Sequence, residues 1–474
     1  MQPTLSPQIE DQPTELERRT ENRRFQYWVV LFAYVTTFSA IYYDLSISVR
    51  FAVAALLIIL QFFSFHSALI ILFLALFMPF TADLLGEGVL RFHRLALIPF
   101  AFHAFRARSV RKFPANRQVL FLILLSLVVI KITADLQVIY QISKDPTHND
   151  YSKGLLNYMA EYFDISVVLF LLYTLFTKFE TRDIHYFFKS ALWAVTLQGI
   201  TIIYIAATNF NDVLLQTRGS RILWDSPLFR HKQYWGPLFC IVFLIHFITY
   251  FNARRKNLSQ LFPIMITLIT LFVSLSRTAY LGVLIGIGVF AVRSKNLKKL
   301  VYIFGITLLL LPIALQIDFV NDRIESMTAA DDVGEFQDQS AGHFSDAALE
   351  QYANNFTFVP QIFYVPWEFN YSEGFWNGLL HQSGIIGLFL VLLVFWRLFR
   401  RLNFLYRNGD SPTRTFAIIG ITLIPLFIVI NLINRNGFFM DYYGDITNYG
   451  ILLTIIYLYA ELMFKENTEA PHAQ

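Results

Sequence analysis

At 474 residues, 55% hydrophobic, 17% aromatic and only 15% charged, with mean hydropathy +0.49, the chain is too apolar for the roughly two or three soluble domains its length would suggest. A soluble domain carries about 25% charge, and the deficit here accompanies apolar runs of roughly 20 residues, each enough to cross about 30 Å of hydrocarbon. The single cysteine, Cys240, sits in such a run, which excludes a disulfide framework and a cysteine metal site, and the net charge of +4 reports orientation before it reports ligands.

Residues 1–25 are polar, with Pro3, Pro7, Pro13 and the basic set Arg18, Arg19, Arg23 and Arg24, and no small-residue cleavage site follows the next apolar stretch. They read as a cytoplasmic tail. Apolar windows then fall near 26–43, 47–65, 67–86, 88–104, 117–135, 160–178, 186–208, 234–251, 261–276, 279–293, 299–316, 375–398, 416–434 and 446–464, about fourteen candidate spans. The fourth carries Arg91, His93 and Arg94 at its start, so it is either a span or a tilted interfacial helix; without it everything downstream reverses orientation.

Cytoplasmic loops should be enriched in Lys and Arg. With the N-terminus inside and the fourth span kept, one side collects Arg106, Arg108, Arg111, Lys112 and Arg117, then Arg254, Arg255 and Lys256, then Arg293, Lys295, Lys298 and Lys299, then Arg397, Arg400, Arg401, Arg407 and Arg414. Counting the tails, Lys178 and Arg182, about 24 cations fall inside and roughly nine outside. Both termini are thereby expected in the cytoplasm.

Two outer segments are long enough to hold structure, 209–233 and 317–374. The second is acidic early, then strongly aromatic from 356 to 376. No P-loop, no GxGxxG after a strand and no HExxH is present. The polar groups of interest crowd the outer ends of the spans. Arg277, in SLSRTAYLG (274–282), stands between two apolar windows with almost no loop, and an arginine so close to hydrocarbon is paired, snorkelling or functional. Its planar fork matches phosphate oxygens bidentately and keeps its charge in a low dielectric. The stretch QTRGSRILWDSPLFRHKQYWGP (216–237) adds Arg218, Arg221, Arg230, His231 and Lys232 against one nearby acid, Asp225; anionic lipid contact or a solvated loop competes with ligand binding there. In YSEGFWNGLLHQSGIIGLFLVL (371–392), Glu373 opens a long predicted helix and shares four-residue spacing with Asn377 and His381, which puts the three on one helix face. Glu373 serves either the helix dipole or a sugar hydroxyl, as acceptor of its proton or as an orienting group. Trp367, Tyr371 and Trp376 suit sugar rings, and they suit an interfacial aromatic belt equally. Lys131 and Arg50 are minor candidates.

The S-x-S-R hairpin, the arginine loop before it, and the long outer loop leading to a helix that reads GIIGL together resemble the O-antigen ligase and O-antigen polymerase superfamily of bacterial cell-surface glycan assembly. The matching motifs cover residues 216–395, and the N-terminal half is similar in hydropathy alone. The resemblance implies an all-α integral membrane protein of about 12–14 transmembrane helices with a large periplasmic loop, related to C-type glycosyltransferase folds. It implies sugars carried on undecaprenyl diphosphate, no nucleotide, no metal and no cofactor. Arg221 and Arg277 then hold the donor's diphosphate; from the loop reading Arg218 and Arg230 are further candidates for it, and Trp367, Tyr371 and Trp376 stay candidates for the sugar beside the belt reading. Ligases of the superfamily have a His-Asn pair at the base position. Counting eleven residues back from Gly384 gives Glu373 here, an acid as in many polymerases.

The expectation is therefore a polymerase of lipid-linked repeat units in the bacterial inner membrane, multi-pass, with its active site facing the periplasm. A ligase transferring the glycan to lipid A core or protein, and a transporter or flippase, are the alternatives. Expected partners are the lipid-linked oligosaccharide, the bilayer, and a chain-length regulator or other glycan-assembly proteins, with no nucleic acid. The expected organisation is a tail (1–25), an N-terminal bundle (26–208), a catalytic region (209–398), C-terminal helices (399–464) and a second tail (465–474).

Overall fold

The computed structural model describes residues 15–77, 84–85, 91–111, 132, 136, 155–208, 232–253, 256–274, 277–294, 375–433 and 448–469. All regular structure among them is helical: α1 (Glu15–Tyr42), α2 (Ile47–Phe63), α3 (Phe65–Phe77), α4 (Phe92–Arg106), α5 (Leu155–Lys178), α6 (Thr181–Thr208), α7 (Lys232–Asn252), α8 (Leu261–Ser274), α9 (Arg277–Ser294), α10 (Phe375–Asn408), α11 (Ser411–Ile433) and α12 (Asn448–Glu469), with one 3₁₀ turn at Leu258–Gln260. These twelve helices match one for one the expected segments other than 117–135 and 299–316, which lie outside the described residues apart from 132. By length and composition, α6 and the Ser411–Ile430 stretch of α11 can cross a membrane. Six further apolar stretches of the described helices are shorter. α4 is one of the short helices: 15 residues give about 22 Å of rise, less than about 30 Å of hydrocarbon.

The chain divides into two compact units, Met1–Ala107 with His185–Ala194, and Arg108–Ile184 with Val195–Gln474. The physical reason for this division is that both ends of α6 pack on later helices: Thr181 bonds Glu466 of α12, and Gly199 lies so close to Phe239 of α7 and to Ile266 and Thr270 of α8 that a Cβ there would meet Thr270 Oγ1 at 2.7 Å.

In the first unit, α3 is apolar around its whole circumference and is accordingly buried on nearly every side, as such a helix must be. Ser64 breaks the chain from α2 with extended backbone and caps α3, its Oγ accepting the Ser67 N–H at 3.0 Å. The buried Gln61 ties α2, α3 and α4 together by donating Nε2 to the carbonyls of Ala68 and Ala96, both at 3.1 Å. Arg50 donates to the Leu45 carbonyl at 2.9 Å and pairs with Asp44, so it holds the α1–α2 turn.

The second unit has α11 near its centre, with α7, α9 and α10 packed on it. α7 and α9 run parallel, Cys240 beside Gly282, Leu244 beside Gly286 and Phe247 beside Phe290. Gly282 and Gly286 form a G-x-x-x-G face, and a Cβ at 286 would fall 2.4 Å from Leu244 Cδ1, so the missing side chains let the helices approach. A Cβ at Gly282 would also touch Leu426 and Ile430 in the last turns of α11. α11 therefore runs opposite to α9.

Candidate functional site

Arg218, Arg221, Arg230, Trp367, Tyr371 and Glu373 lie outside the described residues, as does Lys131. Arg277 is the first residue of α9, and its backbone alone is described. What the described helices establish is direction. Trp376, in the first turn of α10, donates its indole N–H to the Ile428 carbonyl at 3.0 Å and meets the Phe427 ring edge-on at 6.5 Å, late in α11. Gly282, five residues into α9, meets α7 at Cys240 and α11 at Leu426 and Ile430. The N-terminal ends of α7, α9 and α10 and the C-terminal end of α11 thus share one end of the second unit. The segment with Arg221 leads into α7, Arg277 begins α9, and Glu373 precedes α10 by two residues.

Trp376 itself is 7% exposed, with one ring neighbour in α11 and its donor satisfied. A sugar platform needs an open aromatic face. The structure packs this indole between α10 and α11.

Gly384, first glycine of GIIGL, has φ 61° and ψ −164°, a conformation essentially closed to other residues, and it breaks α10 into 375–383 and 385–408. The uninterrupted helix expected from Glu373 through His381 and beyond is therefore two pieces. Glu373 lies outside the described residues, and Asn377 and His381 both fall in the first piece. The outer piece is short, and the glycine sets its angle to the rest.

At the opposite end of the same unit lies a cluster that sequence reasoning passed over. The carboxylate of Glu461, 6% exposed in α12, accepts from Arg397 Nε at 3.3 Å and Arg401 Nε at 3.2 Å. Arg401 also lies over the Phe464 ring, 3.6 Å from its centre. The signal was present: Arg397 and Arg401 stand four apart on one helix, and Glu461 is an acid inside the last turn of an apolar window, a position that favours a paired charge. A second polar tie lies nearby in sequence. Arg111 donates to the Phe179 carbonyl at 2.9 Å and approaches Glu466 at 3.7 Å, while the Thr181 hydroxyl donates to the same Glu466 carboxylate. Tyr406 donates to the Arg293 carbonyl at 3.0 Å, joining the C-terminal ends of α9 and α10. Three of the basic segments expected on one face, those with Arg111, Arg293 and Arg397–Arg401, therefore meet acids, carbonyls or one another through described contacts.

Comparison of the chain with protein-family models, with curated proteins and with solved structures returns no match.

Proposed function

We propose that the chain is a multi-pass protein of the bacterial inner membrane that polymerises lipid-linked oligosaccharide repeat units at the periplasmic face, within the O-antigen polymerase and ligase superfamily. The observation that carries this reading is the shared end of α7, α9 and α10, because the three sequence elements with Arg221, Arg277 and Glu373 adjoin those helix starts. Cations in the sequence segments that lead into those helix starts suit a lipid diphosphate, and the basic segments at the other end suit the cytoplasmic side.

In the proposed reaction a hydroxyl oxygen of the acceptor unit attacks the anomeric carbon of the donor glycan from the face opposite the leaving group. The bond from that carbon to the diphosphate oxygen breaks, its electron pair remains on the undecaprenyl diphosphate, and configuration inverts. Arg221 and Arg277 stabilise the charge that develops on the leaving group, an effect worth about 10²- to 10³-fold per donor in comparable sites. Glu373 takes the acceptor proton or orients the hydroxyl.

The test is polymer length in a deletion strain complemented with variants. Arg277→Ala is expected to abolish chains longer than one repeat unit at normal expression. Arg277→Lys should rescue poorly, because a point charge lacks the fork. Wild-type polymer from Arg277→Ala refutes the assignment. Full-length lipid-linked polymer accumulating in the deletion strain would identify a ligase, and reconstituted protein that moves lipid-linked units without elongating them would identify a transporter.

A further inference from the structure

Beyond Gly384, α10 leaves a stripe of apolar side chains uncovered. Phe389, Leu392 and Trp396 are 61%, 44% and 55% exposed, and their spacing puts them on one face of the helix. One turn past Trp396 the stripe ends in Arg400, whose guanidinium carbon lies 4.9 Å from the centre of the Trp396 ring. Arg293 at the end of α9 lies 5.7 Å from the centre of the partly exposed Phe399 ring, three residues along α10 from the Trp396 that carries Arg400, and the Tyr406 bond ties its backbone to α10.

The arginines at this end sort by partner. Arg397 and Arg401 are committed to Glu461. Arg293 and Arg400 have aromatic rings beneath them and no carboxylate within ion-pair reach among the described residues. Stacking uses the face of a guanidinium and leaves its in-plane N–H groups pointing outward, the geometry that grips two phosphate oxygens. We infer that the apolar stripe of α10 and the Arg293–Arg400 pair form a binding site for an anionic phospholipid of the cytoplasmic leaflet, acyl chain along Phe389, Leu392 and Trp396 and phosphate between the two arginines. The apolar stripe running straight into the charges selects a lipid over a free anion, since a soluble phosphate uses only the arginines and leaves the stripe wet. The lack of a neighbouring carboxylate among the described residues selects an anionic headgroup over one that carries its own ammonium.

This inference rests on the chain being membrane-embedded and not on glycosyl transfer, so its test uses lipid binding. Wild-type protein taken from nanodiscs of mixed phosphatidylcholine and phosphatidylglycerol is expected to retain phosphatidylglycerol selectively in native mass spectrometry. R293Q/R400Q, which leaves the Arg397–Glu461–Arg401 contacts in place, should lose that selectivity by on the order of tenfold while still forming polymer. R407Q removes the same kind of charge from the same helix and should keep it. Proportional retention of both lipids by the wild type overturns the inference. So does undiminished selectivity in a normally eluting R293Q/R400Q. Displacement of the lipid by inorganic phosphate, beyond the effect of chloride at equal ionic strength, assigns the arginines to a free anion and overturns it as well. Should R293Q/R400Q fail to fold, the two wild-type arms decide.

Discussion

Replacing Glu461 by Gln keeps the shape of the side chain and removes the one carboxylate between Arg397 and Arg401. Both guanidinium contacts are ordinary ion-pair distances, 3.3 and 3.2 Å, and Glu461 is 6% exposed. The arginine side chains are only 17% and 23% exposed, so the substitution strands two partly desolvated cations next to each other. Removing one member of a fully buried pair costs about 3–5 kcal/mol, and an exposed pair is worth about 0–1 kcal/mol. With the acid buried and the arginines about a fifth open, roughly 2–3 kcal/mol is expected, seen as a thermal midpoint several degrees lower for detergent-solubilised protein followed by size-exclusion chromatography. The sign of coupling is the sharper readout. E461Q/R401Q, with one stranded charge gone, should be more stable than the sum of its single variants allows. Additive effects, or an E461Q midpoint equal to wild type, would refute the account of this cluster as a paired contact joining α10 to α12.

Asp410 caps α11 by accepting the Thr413 N–H at 3.0 Å, so Asp410→Ala should cost about 0.5–2 kcal/mol and Asp410→Asn much less. The hydrogen bonds from Thr413 hold the Asp410 carboxyl below its ordinary range. Its stabilisation is therefore complete above the ordinary carboxylate pKa and is lost as pH falls through the lowered value, a dependence that Asp410→Asn should remove from the midpoint-against-pH profile. Trp376→Phe deletes the bond to the Ile428 carbonyl and should lower stability by about 1 kcal/mol without a change in acceptor KM; a raised KM at unchanged stability would restore Trp376 as a sugar contact. Gly384→Ala forces a side chain onto φ 61° and ψ −164°, a strain of about 1–3 kcal/mol, and by shifting the outer piece of α10 it should reduce polymer formation more than it reduces expression. Gly286→Ala pushes a methyl group against Leu244 and should cost about 1–3 kcal/mol, with Leu244→Ala in the same chain restoring part of the loss; midpoints of the two variants check this.

Where helices form was decided by information local to each segment. Apolar runs bounded by polar residues located twelve helices, while the start of α1 and the ends of α3 and α10 fall about ten residues from the expected bounds, because a helix satisfies its own backbone and can run on past its apolar stretch. The same locality explains the charge pattern: Arg293, Arg397 and Arg401 could be assigned to one side without knowing what they touch. Partners could not be read this way. Glu461 lies 60 residues beyond Arg401, and only the packing of α12 along α10 brings them to 3.2 Å. The break at Gly384 was hidden because a glycine in an apolar run is also compatible with a continuous helix, and the fate of Trp376 depended on α11 arriving with Ile428 and Phe427. The boundary between compact units likewise followed from Gly199 meeting α7 and α8, a contact written in no single segment. Hydropathy and charge are properties of a stretch of chain, and they determined element and expected side. Distance between distant stretches is a property of the packed chain, and that alone decided which charges are paired and which stand open.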